Sequence, residues 1–156
     1  MTEKYKFFEV KKLETLKEIE DWLLKDFYPK SKIPFKFKNT TQAEFWKQLI
    51  DTGQSMVYIG KDENKIIGLI SGYLTPNLFN TEETNSFITF LNVSEDYRGK
   101  GISQKLYGLF EKWSKEKKVS NILTGVILES GLKFYEKQGF NKLETTMYKQ
   151  LNEENK

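Results

Sequence analysis

The fold of this chain is decided by the stretch Val93-Ser94-Glu95-Asp96-Tyr97-Arg98-Gly99-Lys100-Gly101-Ile102-Ser103, which joins a strand-like run to an amphipathic helix. The run before it, residues 86–93, is rich in β-branched and aromatic residues, as is typical of an interior strand. After it, apolar residues recur at three- and four-residue spacing and form one helix face: Ile102, Leu106, Leu109, Phe110 and Trp113. The stretch therefore predicts a tight turn from a buried strand into a helix.

The turn has the composition of an anion site. Gly99 and Gly101 offer backbone N–H groups that no side chain covers, and Arg98 and Lys100 add positive charge. The free N–H groups and the dipole of a helix start attract anions, and glycine lets a phosphate come close to the main chain. Glycines after a strand also serve simple tight turns. We favour a pyrophosphate site over that alternative.

The common nucleotide motifs do not fit this turn. A P-loop places four residues between its first glycine and a Gly-Lys-Ser/Thr, and that spacing does not occur here. A dinucleotide fingerprint would have a third glycine where this chain has Gln104. It would also have an acidic residue about twenty positions further on, where residues 119–126 contain none.

Composition excludes several kinds of chemistry. The chain has 156 residues and contains no histidine and no cysteine. Its length suits a single domain, which we place at residues 1–156 with residues 152–156 as a flexible tail. The missing residue types exclude Ser-His and Cys-His nucleophilic sites, acyl-cysteine intermediates, zinc fingers and disulfides, and no metal is expected. Proton transfer then falls to Tyr, Lys, Asp, Glu or water.

Charge and hydropathy set the expected location. The 25 basic and 22 acidic residues give a net charge of +3, which is too balanced to predict nucleic-acid binding. Residues 1–4 carry mixed charge, unlike a signal peptide, and the longest strongly apolar run, Ile66–Ile70, is too short to span a bilayer. We therefore expect a cytoplasmic protein with no membrane partner. The sequence leaves a monomer and a homodimer open.

Periodicity and helix-breaking residues predict the remaining elements. Strands are predicted at residues 5–10, 55–60, 65–75, 86–93, 121–127 and 142–151, and helices at residues 14–27, 42–50, 102–118 and 130–138. Pro29 ends the first helix, Thr41 caps the second with Glu44 at the capping-box position, and Ser130 caps the fourth, which Gly139 terminates. Residues 30–38 form a linker, and residues 61–64 form a hairpin turn. This order predicts an α/β fold with a mixed sheet and helices on both faces.

Two motifs give the chain a resemblance to a known family. Residues 95–103 resemble the acetyl-CoA motif of GNAT-type N-acetyltransferases: a Gln or Arg, two residues, Gly, one residue, then Gly or Ala. Residues 132–140, Leu-Lys-Phe-Tyr-Glu-Lys-Gln-Gly-Phe, resemble the family's second signature, a short helix ending in Tyr-Glu-Lys-x-Gly-Phe. The resemblance extends from about Tyr5 to Leu151. In the N-terminal half it rests on the order of strands and helices and not on a sequence motif. It implies a central mixed sheet in which the strand ending at Val93 splays from the strand at 121–127 to hold CoA.

The resemblance also implies a set of site residues. Main-chain groups of Leu91, Asn92 and Val93 would lie along the pantetheine of acetyl-CoA, the co-substrate. The pyrophosphate would lie against Arg98, Gly99, Lys100, Gly101, Ile102, Ser103 and Gln104. Tyr135 would stand near the sulfur as general acid, because a phenol can donate a hydrogen bond or a proton to a departing thiolate, whose pKa as a thiol is about 8.5. The alternative is that Tyr135 is only a core aromatic.

The chain departs from the family pattern in two places. Ser103 stands where the motif usually ends in Gly or Ala, a small change that still allows close approach. Leu128 stands where many members carry an Asn that helps hold the cofactor and start the helix. The general base is also unassigned, because Leu123 occupies the position of a Glu found in some relatives. The carboxylates to consider, each more typical of a surface residue, are Glu82, Glu83 and Glu129.

Together these features predict an acyl-CoA-dependent N-acyltransferase that passes an acetyl group directly to a primary amine of a small-molecule or protein acceptor. Glu82 and Glu83 could attract a polyamine, an aminoglycoside or a lysine side chain, and residues 35–38 could shape an acceptor pocket. Both segments are equally consistent with plain surface structure. Two other classes stay open: a CoA-binding regulatory or structural module without catalysis, and a toxin-like enzyme acting on aminoacyl-tRNA, which would favour a strongly basic face.

Overall fold

The computed structural model of the chain describes residues 4–31, 33 and 42–151. These residues form strands and α-helices in the order β1 (Lys6–Glu9), α1 (Leu13–Trp22), α2 (Gln42–Asp51), β2 (Ser55–Asp62), β3 (Lys65–Pro76), β4 (Thr84–Val93), α3 (Ile102–Glu116), β5 (Asn121–Thr124) and α4 (Glu129–Lys137). A π-helical turn over Leu23–Phe27 and a 3-10 turn over Tyr28–Lys30 prolong α1. A second 3-10 turn, Glu95–Tyr97, precedes α3.

The strands form one sheet in the order β1-β2-β3-β4-β5. Neighbours from β1 to β4 are antiparallel, whereas β4 and β5 are parallel because α3 carries the chain back across the sheet. The hairpin between β2 and β3 turns at Glu63 and Asn64, where Glu63 adopts a left-handed φ of 54°. The predicted mixed sheet is confirmed, and so is the predicted hairpin.

Helices cover both faces of the sheet. On one face, Leu16, Ile19 and Leu23 of the first helical segment and Trp46 of α2 pack with Val57, Ile59 and Leu69. On the other face, α3 and α4 pack on the sheet through a cluster that contains Met56, Ile67, Ile70, Ile88, Ile102, Leu106, Phe110 and Tyr135. Alternate strand residues thus serve opposite cores, which is the pattern expected for a sheet buried on both sides.

Two glycines of β3 let α3 lie close to the sheet. A Cβ at Gly72 would collide with the ring of Phe110 and the carbonyl oxygen of Phe87, and a Cβ at Gly68 would lie 3.1 Å from side-chain atoms of Ile102 and Leu106. Because α3 sits directly on β3, its first turn is fixed beside the carboxyl end of β4.

Some predicted boundaries need correction. Strand β5 ends at Thr124 and not at Ile127, and α4 begins at Glu129 with Leu128 as its N-cap residue, so Ser130 lies inside the helix and does not cap it. The α-helical part of the first helix ends at Trp22, where the wider π turn begins. The Thr41 cap, the tail at 152–156 and most of the 30–38 linker lie outside the described residues.

The predicted last strand at residues 142–151 is wrong. Residues 141–151 carry neither strand nor helix, and each of them is exposed. A strand needs a ladder of hydrogen bonds with a neighbour, and the described sheet ends at β5 without one for this segment.

Across residues 4–31, 33 and 42–151, the helices lack the combination of length and apolar character needed to cross a membrane.

Candidate active site

Strands β4 and β5 separate halfway along β4. They are paired from Asn85 opposite Asn121 to Ile88 opposite Thr124, and β5 ends there while β4 continues to Val93. The last five residues of β4 are therefore unpaired on this side, as far as the described strands go. The expected splay is confirmed. It opens at the carboxyl ends of two parallel strands, where ligands of α/β sheets bind.

A β-bulge lies at the point of separation. Ser71 of β3 is opposite Phe90 and Gly72 is opposite Ile88, so Thr89 is an extra residue in β4. The two hydroxyl oxygens of Ser71 and Thr89 are 2.7 Å apart, and the Thr89 hydroxyl donates to the Ser71 carbonyl oxygen at 3.0 Å. A bulge bends a strand and increases its twist. The bulge thus lies directly after the last paired position of β4 and β5.

The glycine turn lies at the open end of the splay. Gly99 and Gly101 have left-handed φ values of 76° and 80°, and the space where a Cβ would stand is open at both. Their conformation, and not crowding, requires glycine here. Gly101 is the N-cap residue of α3 and offers no side chain to its first turn, which contains no acidic residue. The first N–H groups of α3 therefore have no side-chain cap from Gly101 and suit an anion.

Side chains of the turn itself hold it in place through contacts with β4 and β2. The Arg98 Nε donates to the Val93 carbonyl oxygen at 3.0 Å, which uses one of the five donors of the guanidinium. The Tyr97 hydroxyl donates to Asp62 at 2.9 Å, and this bond raises the tyrosine pKa. The Lys100 ammonium lies 5.4 Å from the centre of the Tyr97 ring. The turn is therefore preorganised and carries positive charge.

A cavity of about 250 Å³ occupies this corner. Its lining residues are Val93, Tyr97, Arg98, Gly99, Gly101, Ile102, Ser103, Gln104 and Phe134. The structure therefore brings seven of the ten residues predicted to bind the cofactor around one cavity. The other three are placed differently. Lys100 is exposed beside Tyr97, Leu91 packs against the α3 core, and the Asn92 amide donates to Asp26 at 3.1 Å.

Tyr135 lies at the closed end of the splay. Its side chain is buried, with 7% of its surface exposed, and its hydroxyl hydrogen-bonds the Thr124 hydroxyl. Thr124 is the last residue of β5, and its hydroxyl also lies 3.3 Å from the carbonyl oxygen of Ile88, the residue opposite it. The phenol is therefore directed to the point where the two strands part.

Aromatic neighbours fix the Tyr135 ring. Phe140 lies 5.0 Å from it, Phe134 5.3 Å and Tyr107 6.5 Å between ring centres, all at steep angles. Such edge-to-face contacts stabilise a single ring orientation. Burial raises the pKa of Tyr135 to about 12, although the hydrogen bond from Thr124 by itself lowers this pKa. The phenol thus stays protonated and remains a hydrogen-bond donor throughout the neutral range.

The three carboxylates considered from sequence lie apart from the cavity lining. Glu82 and Glu83 lie in the loop before β4, at the opposite end of that strand from Val93, and Glu83 accepts a bond from Asn77 at 3.1 Å. Glu129, the first residue of α4, lies 3.8 Å from the Lys133 ammonium.

The structure adds residues that the sequence did not single out. Tyr97 and Phe134 line the cavity, and each directly precedes a motif residue that was selected, so adjacency was a usable signal. Thr124 and Asp26 could not be found in this way, because only the folded chain brings them next to their partners, Tyr135 and Asn92. The Asp26 carboxylate reaches β4 from the π turn and accepts from Asn92, which lies 66 positions away in sequence.

Comparison with known proteins agrees with this architecture. The family model of the acetyltransferase (GNAT) family matches residues 16–140. Among solved structures, an aminoglycoside acetyltransferase from an uncultured soil metagenomic sample is 20% identical, with a TM-score of 0.73 over 96% of this chain and 97% of that one. A predicted acetyltransferase from Clostridium acetobutylicum, crystallised with acetyl-CoA, is 17% identical, with a TM-score of 0.74 over 94% of this chain and 96% of that one.

A third similar structure is the ribosomal-protein-alanine N-acetyltransferase of Brucella melitensis, which is 16% identical, with a TM-score of 0.71 over 96% of this chain and 100% of that one. No protein with a curated description matches the chain significantly. At these identities the structural likeness shows the fold alone, whereas the family model spans most of the chain. The chain belongs to the GNAT acetyltransferase family.

Proposed function

We propose that this protein is an acetyl-CoA-dependent N-acetyltransferase that moves the acetyl group directly to a primary amine. The observation that carries the proposal is the splay between β4 and β5, which has a glycine turn with uncapped backbone N–H groups at its open end and a protonated, buried tyrosine at its closed end. Family membership and the name of the Brucella N-acetyltransferase support the choice of an amine acceptor.

The proposed pose follows from this geometry. The pyrophosphate of acetyl-CoA lies against the backbone N–H groups of Gly99 to Gln104 beside Arg98. The pantetheine runs along the unpaired edge of β4 past Val93, Asn92 and Leu91 and makes strand-like hydrogen bonds with main-chain groups. This places the thioester near the bulge, within reach of Tyr135.

The proposed chemistry balances without any further reactant. The amine nitrogen attacks the thioester carbonyl carbon, the C–N bond forms, the C–S bond breaks, and the ammonium proton passes to water or a carboxylate. The sulfur leaves as a thiolate, and the Tyr135 phenol stabilises it by a hydrogen bond. Since the tyrosine pKa is about 12 and that of a thiol is about 8.5, full proton transfer is uphill and donation of a hydrogen bond is the main contribution. A chain without cysteine has no acyl-cysteine route.

The carboxylate that accepts the amine proton is part of the proposal. Asp26 joins the three glutamates as a candidate because it contacts the unpaired half of β4 through Asn92. An Asp26→Asn variant tests this role: the rate at neutral pH falls and partly recovers at higher pH, where more of the amine is already deprotonated.

Acetyl-CoA turnover against a panel of acceptors tests the function. The panel contains a polyamine, an aminoglycoside, a lysine peptide, a protein N-terminus and aminoacyl-tRNA, with thiol release and acceptor mass as the readouts. Acetylation of an amine supports the proposal. Tight acetyl-CoA binding without turnover on any acceptor favours a non-catalytic module, and acetylation of aminoacyl-tRNA alone favours the toxin-like class.

A further inference from the structure

Two lysines stand beside the cavity at the glycine turn without belonging to its lining. The Lys65 and Lys100 ammonium groups lie 5.5 Å and 5.4 Å from the centre of the Tyr97 ring. Tyr97 lines the cavity, whereas the two lysines do not, and both of them are exposed. Tyr97 is therefore in contact with the cavity and with a pair of cations outside it.

The positive charge of this pair is not neutralised by a bonded carboxylate. Lys65 is opposite Asp62 in the pairing of β2 and β3, yet the Asp62 carboxylate accepts a bond from the Tyr97 hydroxyl at 2.9 Å. Asp96 is the other carboxylate whose charge acts on Tyr97. Among the described residues, neither Lys65 nor Lys100 forms an ion pair. Both ammonium groups are thus available to an anion.

Further lysines extend the positive surface along β1. The ring of Tyr5 meets that of Tyr97 edge to face, with 5.8 Å between their centres, and the Lys4 ammonium lies 5.5 Å from the Tyr5 ring. The Lys105 ammonium lies 5.9 Å from the ring of Phe7. Attraction to the face of an aromatic ring holds a lysine head near it. The surface next to the cavity is therefore positive and partly ordered.

The order of the strands places this surface on the far side of the glycine turn from the splay. The splay lies between β4 and β5, whereas the hairpin that carries Asp62 and Lys65 joins β2 and β3, on the other side of β4. The turn is bonded to β4 through Arg98 and to the hairpin through Tyr97. A ligand that rests its middle on the turn and sends one end into the splay can reach the hairpin with its other end.

Coenzyme A has a matching group at that end. In the proposed pose its pyrophosphate lies on the turn and its pantetheine enters the splay, so the adenosine, which carries a phosphate on its 3′ oxygen, extends away from the splay. A phosphate monoester carries a charge of about −1.5 to −2 at neutral pH, more than any other group of the molecule. Lysine offers a compact, exposed point charge that suits such a group in contact with solvent.

We propose that Lys65 and Lys100 bind the 3′-phosphate of coenzyme A and make the protein prefer this cofactor to one that lacks the phosphate. The inference rests on the proposed function for the identity of the co-substrate. It assigns Lys100 to this phosphate, because the Lys100 ammonium stands beside Tyr97 and outside the cavity lining. Tyr97 acts as a positioning residue: its ring holds both lysines, and its hydroxyl keeps Asp62 from pairing with Lys65.

Calorimetry with coenzyme A and with 3′-dephospho-coenzyme A tests the proposal. We expect the natural protein to bind coenzyme A about tenfold or more tightly than the dephospho form, since charge-assisted bonds to the phosphate are lost without it. Lys65→Met should reduce this preference, and Lys65→Met/Lys100→Met should remove most of it. The affinity of Lys65→Met for the dephospho form should equal that of the natural protein. The preference should also shrink as salt is raised.

The matched control is Lys112→Met, the same change of charge at an exposed position of α3 about two turns beyond Lys105, which should keep the full preference. Thermal unfolding without ligand verifies that all variants are folded. Equal affinity of the natural protein for both cofactors, or a double variant that keeps the full preference, overturns this proposal and leaves the proposed function standing. A natural protein that binds neither cofactor overturns both.

Discussion

At the scale of single residues, the proposed active site depends on two hydroxyl groups at the closed end of the splay. Tyr135 is buried among aromatic rings that fix its direction, and Thr124 links its hydroxyl to the last paired position of β4 and β5. A buried phenol without a partner would cost stability, and this bond removes part of that cost. The same bond fixes the position of the phenol oxygen, so packing and the proposed chemistry share one contact.

Removal of the Tyr135 hydroxyl should separate these two roles. Tyr135→Phe keeps the ring and its packing, and we expect kcat to fall on the order of a hundredfold while acetyl-CoA affinity changes little. Steady-state kinetics and calorimetry measure the two quantities. The matched control is Tyr107→Phe, which deletes a phenol of the same cluster that bonds Glu111 instead and should leave kcat unchanged. Full turnover by Tyr135→Phe would make this residue a core aromatic only.

Thr124→Val tests whether the threonine acts through the tyrosine. The change keeps the shape of the side chain and deletes its hydroxyl, and we expect kcat to fall about tenfold or less, since one hydrogen bond contributes about 1 kcal/mol. The decisive measurement is a double-mutant cycle with Tyr135→Phe. If the threonine only orients the phenol, the double variant should be no slower than Tyr135→Phe alone. Additive losses would assign Thr124 an independent role.

At the scale of elements, the proposed anion site belongs to the start of α3 and not to any one side chain. Gly68 and Gly72 let α3 pack directly on β3, and this contact places its first turn against the end of β4. Arg98 and Tyr97 then hold the preceding turn by bonds to β4 and to the β2–β3 hairpin. Three strands and a helix therefore fix one set of backbone N–H groups.

Gly101→Asp should abolish acetyl-CoA binding. The carboxylate would place negative charge and bulk where the pyrophosphate is proposed to lie. We expect a loss of about a hundredfold or more in affinity, because at least two charge-assisted hydrogen bonds of roughly 1.5 kcal/mol each would be lost. The matched control is Gly108→Asp, in an open position within the same helix. Calorimetry on both folded variants decides, and unchanged affinity for Gly101→Asp would contradict the phosphate site.

At the scale of the whole molecule, the order of strands and helices was predictable, because hydrophobic periodicity and helix-breaking residues report the local preference of the chain. Both motif segments were placed correctly, and seven predicted binding residues share one cavity. The strand predicted at residues 142–151 is wrong, because its sequence pattern reports only local preference and the described sheet offers this segment no neighbour. Thr124 and Asp26 were missed for a related reason: their partners are distant in sequence, and only the completed fold brings them together.

The packing of α1 on α2 makes global stability depend on pH. Glu20 is buried beside the start of α2, where it accepts a bond from the Ala43 N–H, and burial raises its pKa above the ordinary 4.5. From pH 4.5 up to the raised value, the folded chain holds more protons than the unfolded chain. The free energy of unfolding contributed by this group therefore falls as pH rises through that window.

Glu20→Gln should remove this decline. We expect the variant to gain Tm relative to the natural chain as pH rises from 4.5 to neutrality, because the amide keeps an acceptor for Ala43 and carries no buried charge. Thermal unfolding at several pH values measures the difference. Glu18→Gln, an exposed position on the same helix, is the control and should show no such trend. A variant less stable at every pH would mean that the charge on Glu20 stabilises the start of α2 by more than its burial costs.

The extra residue, Thr89, changes which alternate residues of β4 face the α3 side of the sheet. Before it, the even-numbered Ser86 and Ile88 point to the α3 side, and Ser86 bonds Ser114 of that helix at 2.8 Å. After it, the odd-numbered Leu91 and Val93 point there, while Phe90 turns to the α1 side. Both halves of β4 can thus pack against the same helix, α3. Along its edge, the first half pairs with β5, whereas the second half borders the open cleft. If the same residues formed a regular strand without the bulge, the even-numbered pattern would continue, and the polar amide of Asn92 would face α3 where Val93 now packs.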